Sequence, residues 1–173
     1  KGMSIRFHES EARAMGRNAS GVKGINLASD DWLVGLVRCL TDDNRDLLTV
    51  TEKGYGKRTS LAEYLVQPEE GQPHPQSRGG KGRRDIVTND RNGSVVGAIA
   101  INGGMDIMLI SREGMIVRIE GQTIRQTGRG TQGVRLINLV QGDVLASIAP
   151  IVDDESDDDG ASSGGGGPET EGP

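Results

Sequence analysis

The sequence predicts an all-β fold in which blades of four short strands repeat along the chain and form a propeller-like, partial ring. The segment GRNASGVKGINL (residues 16–27) returns as GRGTQGVRLINL (residues 128–139), with seven of twelve letters identical and no gap. Short aliphatic runs separated by turn residues are typical of hairpins. No stretch shows the sustained 3.6-residue periodicity of a helix. Repeated units of this kind bury their faces against their neighbours.

The repeat extends well beyond these two segments. At the same offset of 112 residues further positions match: Gly2 and Gly114, Met3 and Met115, Arg6 and Arg118, Asp31 and Asp143, Leu33 and Leu145. A less similar middle copy contains Gly54 and Arg58, which match Gly2 and Arg6. Its segment GGKGRRDI aligns with SGVKGINL, and it has extra residues around QPEEGQPHPQ. We therefore divide the chain into copies of roughly 1–50, 51–105 and 106–152, which are too few blades to close a ring.

Each strand is predicted from local pattern. DLLTVTEKGYGKRTSLAEY (residues 46–64) and DIMLISREGMIVRIEGQTI (residues 106–124) each contain a β-branched or aliphatic run, a turn and a second run with polar alternation, which predicts a hairpin. LVGLVRCL (residues 33–40) and VVGAIAI (residues 95–101) are continuous apolar runs, which predict strands buried on both faces. ASIAPIV is the same element in the last copy, and Pro150 marks it as an edge strand or an exit.

Composition narrows the class of protein. The chain has 27 glycines but only four aromatic residues, which indicates a turn-rich fold with an aliphatic core. A single cysteine, Cys39, excludes an internal disulfide and suits a reducing cytoplasm. The apolar runs are shorter than a membrane helix requires and no signal peptide is visible, so we expect no membrane partner. Because KGMSIRF starts inside a pattern already under way, we expect the chain to be a piece of a longer protein.

Charge divides the chain into two parts. Residues 153–173 contain eight acidic and no basic residues, and they are rich in glycine, so we expect a disordered acidic tail. Residues 1–152 contain 17 acidic against 20 basic residues, although the whole chain has a net charge of −5. The tail either competes with a ligand for the basic body or serves solubility.

Several phrases together resemble the C-terminal domain of the gyrase A protein, a DNA topoisomerase component, and more loosely the corresponding domain of topoisomerase IV. They are the two copies of the opening repeat, TEKGYGKRTSLAEY, NDRNGSVVGAIAI, DIMLISREGMIVR and, most specifically, QSRGGKG at residues 76–82. The resemblance covers residues 1 to about 152. It implies a β-pinwheel, a ring of blades that exchange strands and wrap duplex DNA around a basic rim, of which this chain is the last two and a half to three blades.

QSRGGKG resembles the seven-residue box of that DNA gyrase family. The matching residues are Gln76, Arg78, Gly79, Gly80, Lys81 and Gly82, while Ser77 replaces a basic residue. In the family the box belongs to the first blade, whereas here it lies in the penultimate copy. Two interpretations remain open: it is a degenerate counterpart of the box, or it is a second box whose first-blade copy lies upstream.

Basic residues that recur or cluster are the predicted DNA contacts. Guanidinium groups and glycine-rich backbone suit phosphate oxygens, and positions repeated from blade to blade suit a long periodic ligand. The predicted residues are Arg6, Arg17, Lys23, Lys57, Arg58, Arg78, Lys81, Arg83, Arg84, Arg118, Arg129 and Arg135. Few aromatic residues accompany them, which argues against single-stranded nucleic acid.

No catalytic or metal site is predicted in this part of the protein. His8 and His74 lack partners at ligand spacing and are expected at the surface, and Tyr55 and Tyr64 are expected to serve packing. The resemblance implies a cytoplasmic, nucleoid-associated ATP-hydrolysing type II topoisomerase, with ATP and Mg²⁺ held by other domains or subunits. It also implies as partners the rest of a gyrase A dimer and the gyrase B protein, in an A2B2 complex. The alternatives are a topoisomerase IV-type domain that binds DNA crossings and a protein-binding propeller without a DNA role.

Overall fold

The computed structural model describes residues 1–151, and the predicted tail at 153–173 lies outside the described residues. Within that range the chain forms strands and short 3₁₀ turns, without an α-helix, so the all-β prediction is confirmed. The strands are β1 (Met3–Ser4), β2 (Asp46–Thr51), β3 (Tyr55–Ser60), β4 (Arg83–Arg84), β5 (Val95–Ile101), β6 (Asp106–Ser111), β7 (Ile116–Glu120), β8 (Val134–Arg135) and β9 (Leu145–Ile151). The 3₁₀ turns span Glu9–Glu11, Leu61–Tyr64 and Gly121–Thr123.

The middle blade is a complete four-stranded sheet in the order β5-β2-β3-β8. Strands β2 and β3 form the predicted hairpin, in which Asp46 pairs with Ser60 and Val50 with Gly56. Strand β5 pairs antiparallel with the other side of β2. The copy boundary predicted near residue 50 falls inside β2, so the structural unit begins at Asp46.

The last blade repeats this arrangement with three strands in the order β7-β6-β9. Its hairpin, β6–β7, is also as predicted, and β9 pairs with β6 as β5 pairs with β2. The register shifts at the corresponding place in both sheets, between Val50 and Thr51 and between Ile110 and Ser111. Pro150 lies in β9, which is an edge strand as predicted. Proline lacks a backbone N–H, and an edge strand tolerates it because it pairs with a neighbour on one side only.

Neighbouring copies exchange strands. Strand β4 of the middle copy pairs with β1 of the first copy, and β8 of the last copy pairs with β3 of the middle copy. The amides of Asp85 and Ile86 donate to the carbonyl of Gly2, just as those of Leu136 and Ile137 donate to the carbonyl of Gly54. Each hairpin is therefore completed by a connector that arrives from the following copy.

These hydrogen bonds correct the predicted alignment of the middle copy. Because Asp85 and Leu136 make the same contact, Gly82 is the counterpart of Gly133 and therefore of Gly21. The sequence alignment placed Gly80 there, two residues away. Several glycines stand close together in this stretch, so matching identical residues does not by itself decide which of them corresponds to Gly21.

The core lies between the two larger sheets. Leu48 and Val50 of β2 are completely buried together with Ile107 and Leu109 of β6, and Ile137 of the last connector packs with them. A smaller cluster joins Leu47, Leu61 and Tyr64. Burial of aliphatic side chains from successive copies in one cluster stabilises the blades as a stack rather than singly.

The segment predicted as the strand LVGLVRCL is not a strand. Residues 33–40 lack regular structure, and Leu36 is 84% exposed. Its counterparts β5 and β9 pair with β2 and β6, the first strands of the hairpins of their own blades, whereas residues 33–40 pair with no strand among the described residues. Strand β5 does form, but as an edge strand with several half-buried residues rather than one buried on both faces.

Candidate nucleic-acid interface

The box residues lie in the connector that crosses from the middle copy onto the first. The amide of Gln76 donates to the carbonyl of Arg6 at 2.8 Å, and the amide of Gly79 donates to that of Gly24 at 2.7 Å. The carbonyl of Gly80 accepts from the amide of Asn26 at 2.8 Å. Backbone hydrogen bonds therefore hold the box against the first copy along its length.

Arg78 uses its side chain inside the domain. Its Nη1 donates to the carbonyl oxygen of Lys23 at 2.6 Å, and its Nε donates to that of Glu11 at 3.2 Å. Its own amide donates to the Glu11 carboxylate at 2.9 Å. Arg78 therefore joins the box to the first copy through its Nε and Nη1 donors and its backbone amide.

Positive φ and close backbone approach explain two of the box glycines, the first for Gly79 and both for Gly82. Gly79 and Gly82 have φ of +81° and +72°, a region that residues with a side chain rarely adopt. A methyl group at Gly82 would overlap the carbonyl oxygen of Ser4, and at its counterpart Gly133 it would lie 2.7 Å from the carbonyl oxygen of Gly56. The glycine pattern therefore has a structural explanation in strand exchange.

Other basic residues of this connector face outward. Lys81 and Arg84 are exposed, whereas Arg83 is half-buried and donates to the carbonyl of Leu65 at 3.3 Å. In the first copy Arg17 and Lys23 are also exposed, with Lys23 near the side-chain oxygen of Asn26. The exposed members of the predicted set are thus available to an anionic ligand.

Of the recurring arginines, Arg6 and Arg58 lie at blade junctions, whereas Arg118 pairs within its own blade. Arg6 donates to the carbonyl of Leu61 at 2.9 Å, and Arg58 donates to that of Ile124 at 2.8 Å, in each case reaching the next copy. Arg118 stays 60% exposed and pairs with Asp106. Arg58 pairs in the same way with Asp46, the counterpart of Asp106. For Arg6 and Arg58 the recurrence therefore has an explanation in blade packing, and DNA contact by all three arginines stays a prediction.

The prediction that Lys57 contacts DNA is wrong. Its side chain is completely buried and therefore out of reach of a ligand on the surface. The ammonium group lies 3.0 Å from Oδ1 of Asp85 and donates to Thr59 and to the carbonyl of Gly128. Asp85 also accepts from the hydroxyls of Thr49 and Tyr64. Burial beside this carboxylate raises the pKa of Tyr64, which keeps its hydroxyl protonated as a donor.

The last two members of the set differ in exposure. Arg129 is half-buried, and its Nε is buried without a hydrogen-bond partner among the described residues. Arg135 is exposed, and its Nη2 donates to the hydroxyl of Tyr55 at 2.7 Å. Arg129 and Arg135 therefore differ in exposure, although the sequence predicts the same role for both.

Arg91 is an exposed cation that sequence reasoning missed. Its guanidinium carbon lies 5.0 Å from the centre of the Tyr55 ring, and that of Arg135 lies at the same distance. Donation by Arg91 and then Arg135 lowers the pKa of the Tyr55 hydroxyl. Arg91 does not recur between copies, so the repeat gave no sign of it. The only available signal was that Tyr55 stands where the other copies have Met3 and Met115.

The remaining expectations concern the histidines, the tyrosines, a metal site and a membrane helix. His8 and His74 are exposed, and Tyr55 and Tyr64 are buried, as predicted. Among residues 1–151 no group of three or more histidines, cysteines and carboxylates is placed to hold a metal ion. In the same range no helix has the length and apolarity needed to cross a membrane.

Blades completed by the next copy define a propeller-type domain, and its connectors carry exposed basic residues. The chain belongs to the family described as DNA gyrase C-terminal domain, beta-propeller, whose sequence model matches residues 1–39, 45–68, 75–102 and 106–151. The resemblance found in the sequence is thereby confirmed.

Relatives and solved structures agree with this assignment. The chain is 43% identical over 153 residues to the DNA gyrase A protein of Kosmotoga olearia and 39% identical over 150 residues to that of Staphylococcus epidermidis. These matches cover 88% and 87% of this chain but only 18% and 16% of the relatives. A solved DNA gyrase A C-terminal domain is similar at a TM-score of 0.75 and 27% identity, covering 88% of this chain and 48% of that one. The C-terminal domain of DNA topoisomerase IV has the same fold, with a TM-score of 0.75 at 22% identity over 87% of this chain and 44% of that one.

Proposed function

We propose that this domain binds duplex DNA through its phosphate backbone and wraps it around the basic surface. The observation that carries the proposal is the set of exposed basic side chains on successive connectors, in a chain of the DNA gyrase C-terminal domain family. The residues proposed to contact phosphates are Arg17, Lys23, Lys81, Arg84 and Arg135.

Backbone charge rather than base recognition suits these residues. Lysine and arginine neutralise phosphates without reading sequence, and specificity then follows from how easily the DNA bends. Bending over 20 to 30 base pairs costs on the order of 1–6 kcal/mol, so several contacts must act together. Connectors that repeat from blade to blade provide such contacts along a curved path.

Within the parent protein, the domain serves a reaction that takes place elsewhere. A wrapped duplex presents a neighbouring DNA segment to the cleavage gate of an ATP-hydrolysing type II topoisomerase, and strand passage then introduces negative supercoils. The ATP and Mg²⁺ that this chemistry requires belong to other domains or subunits. The proposed partners are the remainder of the gyrase A dimer and the gyrase B protein of an A2B2 enzyme that acts on the nucleoid in the cytoplasm.

Salt-dependent binding tests the DNA proposal. Anisotropy of a labelled duplex, titrated between about 50 and 200 mM salt, should give a log–log slope of about −4 to −5 if the five named residues each contact a phosphate. Lys81→Ala and Arg84→Ala should each lower the magnitude of that slope by about 0.9. Absent binding at low salt, or binding insensitive to salt, would contradict the proposal and favour a protein-binding propeller.

A topological assay separates wrapping from simple binding. A nicked plasmid is sealed by ligase with the domain bound, and the linking number is measured after the protein is removed. Wrapping with a fixed hand should shift the distribution of topoisomers in one direction. An unshifted distribution at saturating binding would favour the topoisomerase IV-type alternative, in which the domain binds crossings with little wrapping.

A further inference from the structure

Two arginines from different turns meet on one tyrosine of the middle blade. The guanidinium carbons of Arg91 and Arg135 each lie 5.0 Å from the centre of the Tyr55 ring. The Tyr55 hydroxyl oxygen accepts from Nε of Arg91 at 3.3 Å and from Nη2 of Arg135 at 2.7 Å. Two exposed cations are thus gathered around a single oxygen, close enough to act on one ligand.

The backbone holds both arginines in place. Arg135 lies in β8, where it is paired directly with Tyr55 in the ladder. The turn that carries Arg91 is anchored by Asn92, which is completely buried. The side-chain amide of Asn92 donates to the carbonyls of Val87 and Gln132, so it ties that turn to the connector that leads into β8. The spacing of the two cations is therefore largely set before any ligand binds.

Among residues 1–151, none of the ion pairs involves Arg91 or Arg135. On the neighbouring turn, the amide of Lys53 donates to the carbonyl of Asn92 at 3.1 Å, and its ammonium group donates to the carbonyl of Asp90, the residue before Arg91. Like charges held together repel each other, and an anion placed between them removes that repulsion.

We propose that Arg91 and Arg135 form a clamp for a backbone phosphate of duplex DNA, with Tyr55 as the residue that positions them. This inference rests on the proposed DNA-binding function and adds a contact residue to it. Guanidinium groups present paired N–H donors that match phosphate oxygens. The Tyr55 ring is only 4% exposed, so it is not available to stack on a base.

The clamp is particular to the middle blade. The positions that correspond to Tyr55 hold Met3 and Met115, which offer neither an aromatic face nor a hydroxyl acceptor. Basic residues in the other copies therefore have no tyrosine ring and hydroxyl to hold them in position. DNA should be held more firmly at the middle blade than a uniform ring of charges would predict.

Charge-matched variants test the clamp through affinity and its salt dependence. Arg91→Ala should weaken duplex binding about tenfold at low salt but leave the salt slope nearly unchanged, because Arg135 still neutralises the shared phosphate. Arg91→Lys should retain the slope while losing part of the affinity, because lysine keeps the charge but lacks the forked donors. Arg13→Ala is the control, since Arg13 is exposed and makes no side-chain hydrogen bond among residues 1–151.

Tyr55→Met introduces the residue found in the other copies and should reduce affinity with both arginines retained. If that variant does not fold, Arg91→Ala decides the question, because Arg91 is on the surface. Equal losses for Arg91→Ala and Arg13→Ala, with wild-type binding intact, would overturn the clamp and leave the DNA proposal standing. Wild-type protein that fails to bind duplex DNA would instead overturn the proposed function, and the clamp with it.

Discussion

Lys57 and Asp85 form a buried ion pair, with Nζ of the lysine 3.0 Å from Oδ1 of the aspartate. Lys57 belongs to strand β3 of the middle hairpin, and Asp85 belongs to the connector that has just crossed from the first copy. Hydroxyl groups of Thr49 and Tyr64 complete the hydrogen bonding of the carboxylate. The pair therefore joins the end of the box connector to the middle blade.

Lys57→Met should destabilise the domain by about 3–5 kcal/mol, because it leaves the Asp85 carboxylate buried without its cation. Urea unfolding followed by circular dichroism measures this loss. Lys81→Met is the matched control: it should leave stability within about 0.5 kcal/mol and weaken DNA binding instead. A Lys57→Met protein of normal stability but reduced DNA affinity would restore Lys57 as a DNA contact.

Gly82→Ala should destabilise the domain more than Gly21→Ala. Both glycines have positive φ, +72° and +78°, so both variants carry the backbone strain of about 1–2 kcal/mol. Only at Gly82 does the added methyl group also meet the Ser4 carbonyl, whereas nothing lies within 4 Å at Gly21. Thermal unfolding of the two variants compares them directly, and equal losses would contradict the strand exchange between β1 and β4.

Arg58→Ala should cost about 1.5–3 kcal/mol, because it removes a charged donor to the carbonyl of Ile124 at a blade junction. Arg118→Ala removes the corresponding residue of the last blade, which is 60% exposed. That variant should change stability by less than about 1 kcal/mol. Denaturant midpoints measure the difference, and a larger loss for Arg118→Ala would show that recurrence does not reflect blade packing.

Stability should fall in acid partly through Asp43. The Arg45 guanidinium, assisted by the amides of Leu40 and Arg45, holds the pKa of the Asp43 carboxyl well below its usual value. A carboxyl whose pKa is depressed on folding stabilises the fold above its unfolded pKa of about 3.9 and loses that contribution as the pH falls further. Unfolding free energies at pH 6 and pH 3 should therefore differ less for Asp43→Asn than for wild type. An identical difference in both proteins would exclude this contribution.

The hairpins could be predicted because their signals are local. Alternating runs on either side of Glu52–Gly54 and of Arg112–Gly114 place two strands next to each other in the chain, and the turn sets their register. The strand predicted at residues 33–40 failed for the opposite reason. Its formation depends on pairing with a hairpin distant in sequence, and apolar composition alone does not provide that partner.

The site was predictable only in part. Lys81, Arg84 and Arg135 are exposed, as a DNA-facing role requires, whereas Lys57 is interior and Arg78 bonds to the first copy. Recurrence at equivalent positions does not distinguish a repeated ligand contact from a repeated blade junction, because both repeat with the same period. Arg91 carried no repeat signal at all.

The sequence by itself determined the repeating all-β architecture, the two hairpins, the basic character of residues 1–152 and the family resemblance, since all of these follow from local pattern and composition. Tertiary structure decided which cations face outward, the register of the box connector and the meeting of Arg91 and Arg135 on Tyr55. The physical reason is that burial, ion pairing and strand exchange depend on residues brought together from different copies. Residues that look alike along the chain therefore differ in their surroundings once the blades have assembled.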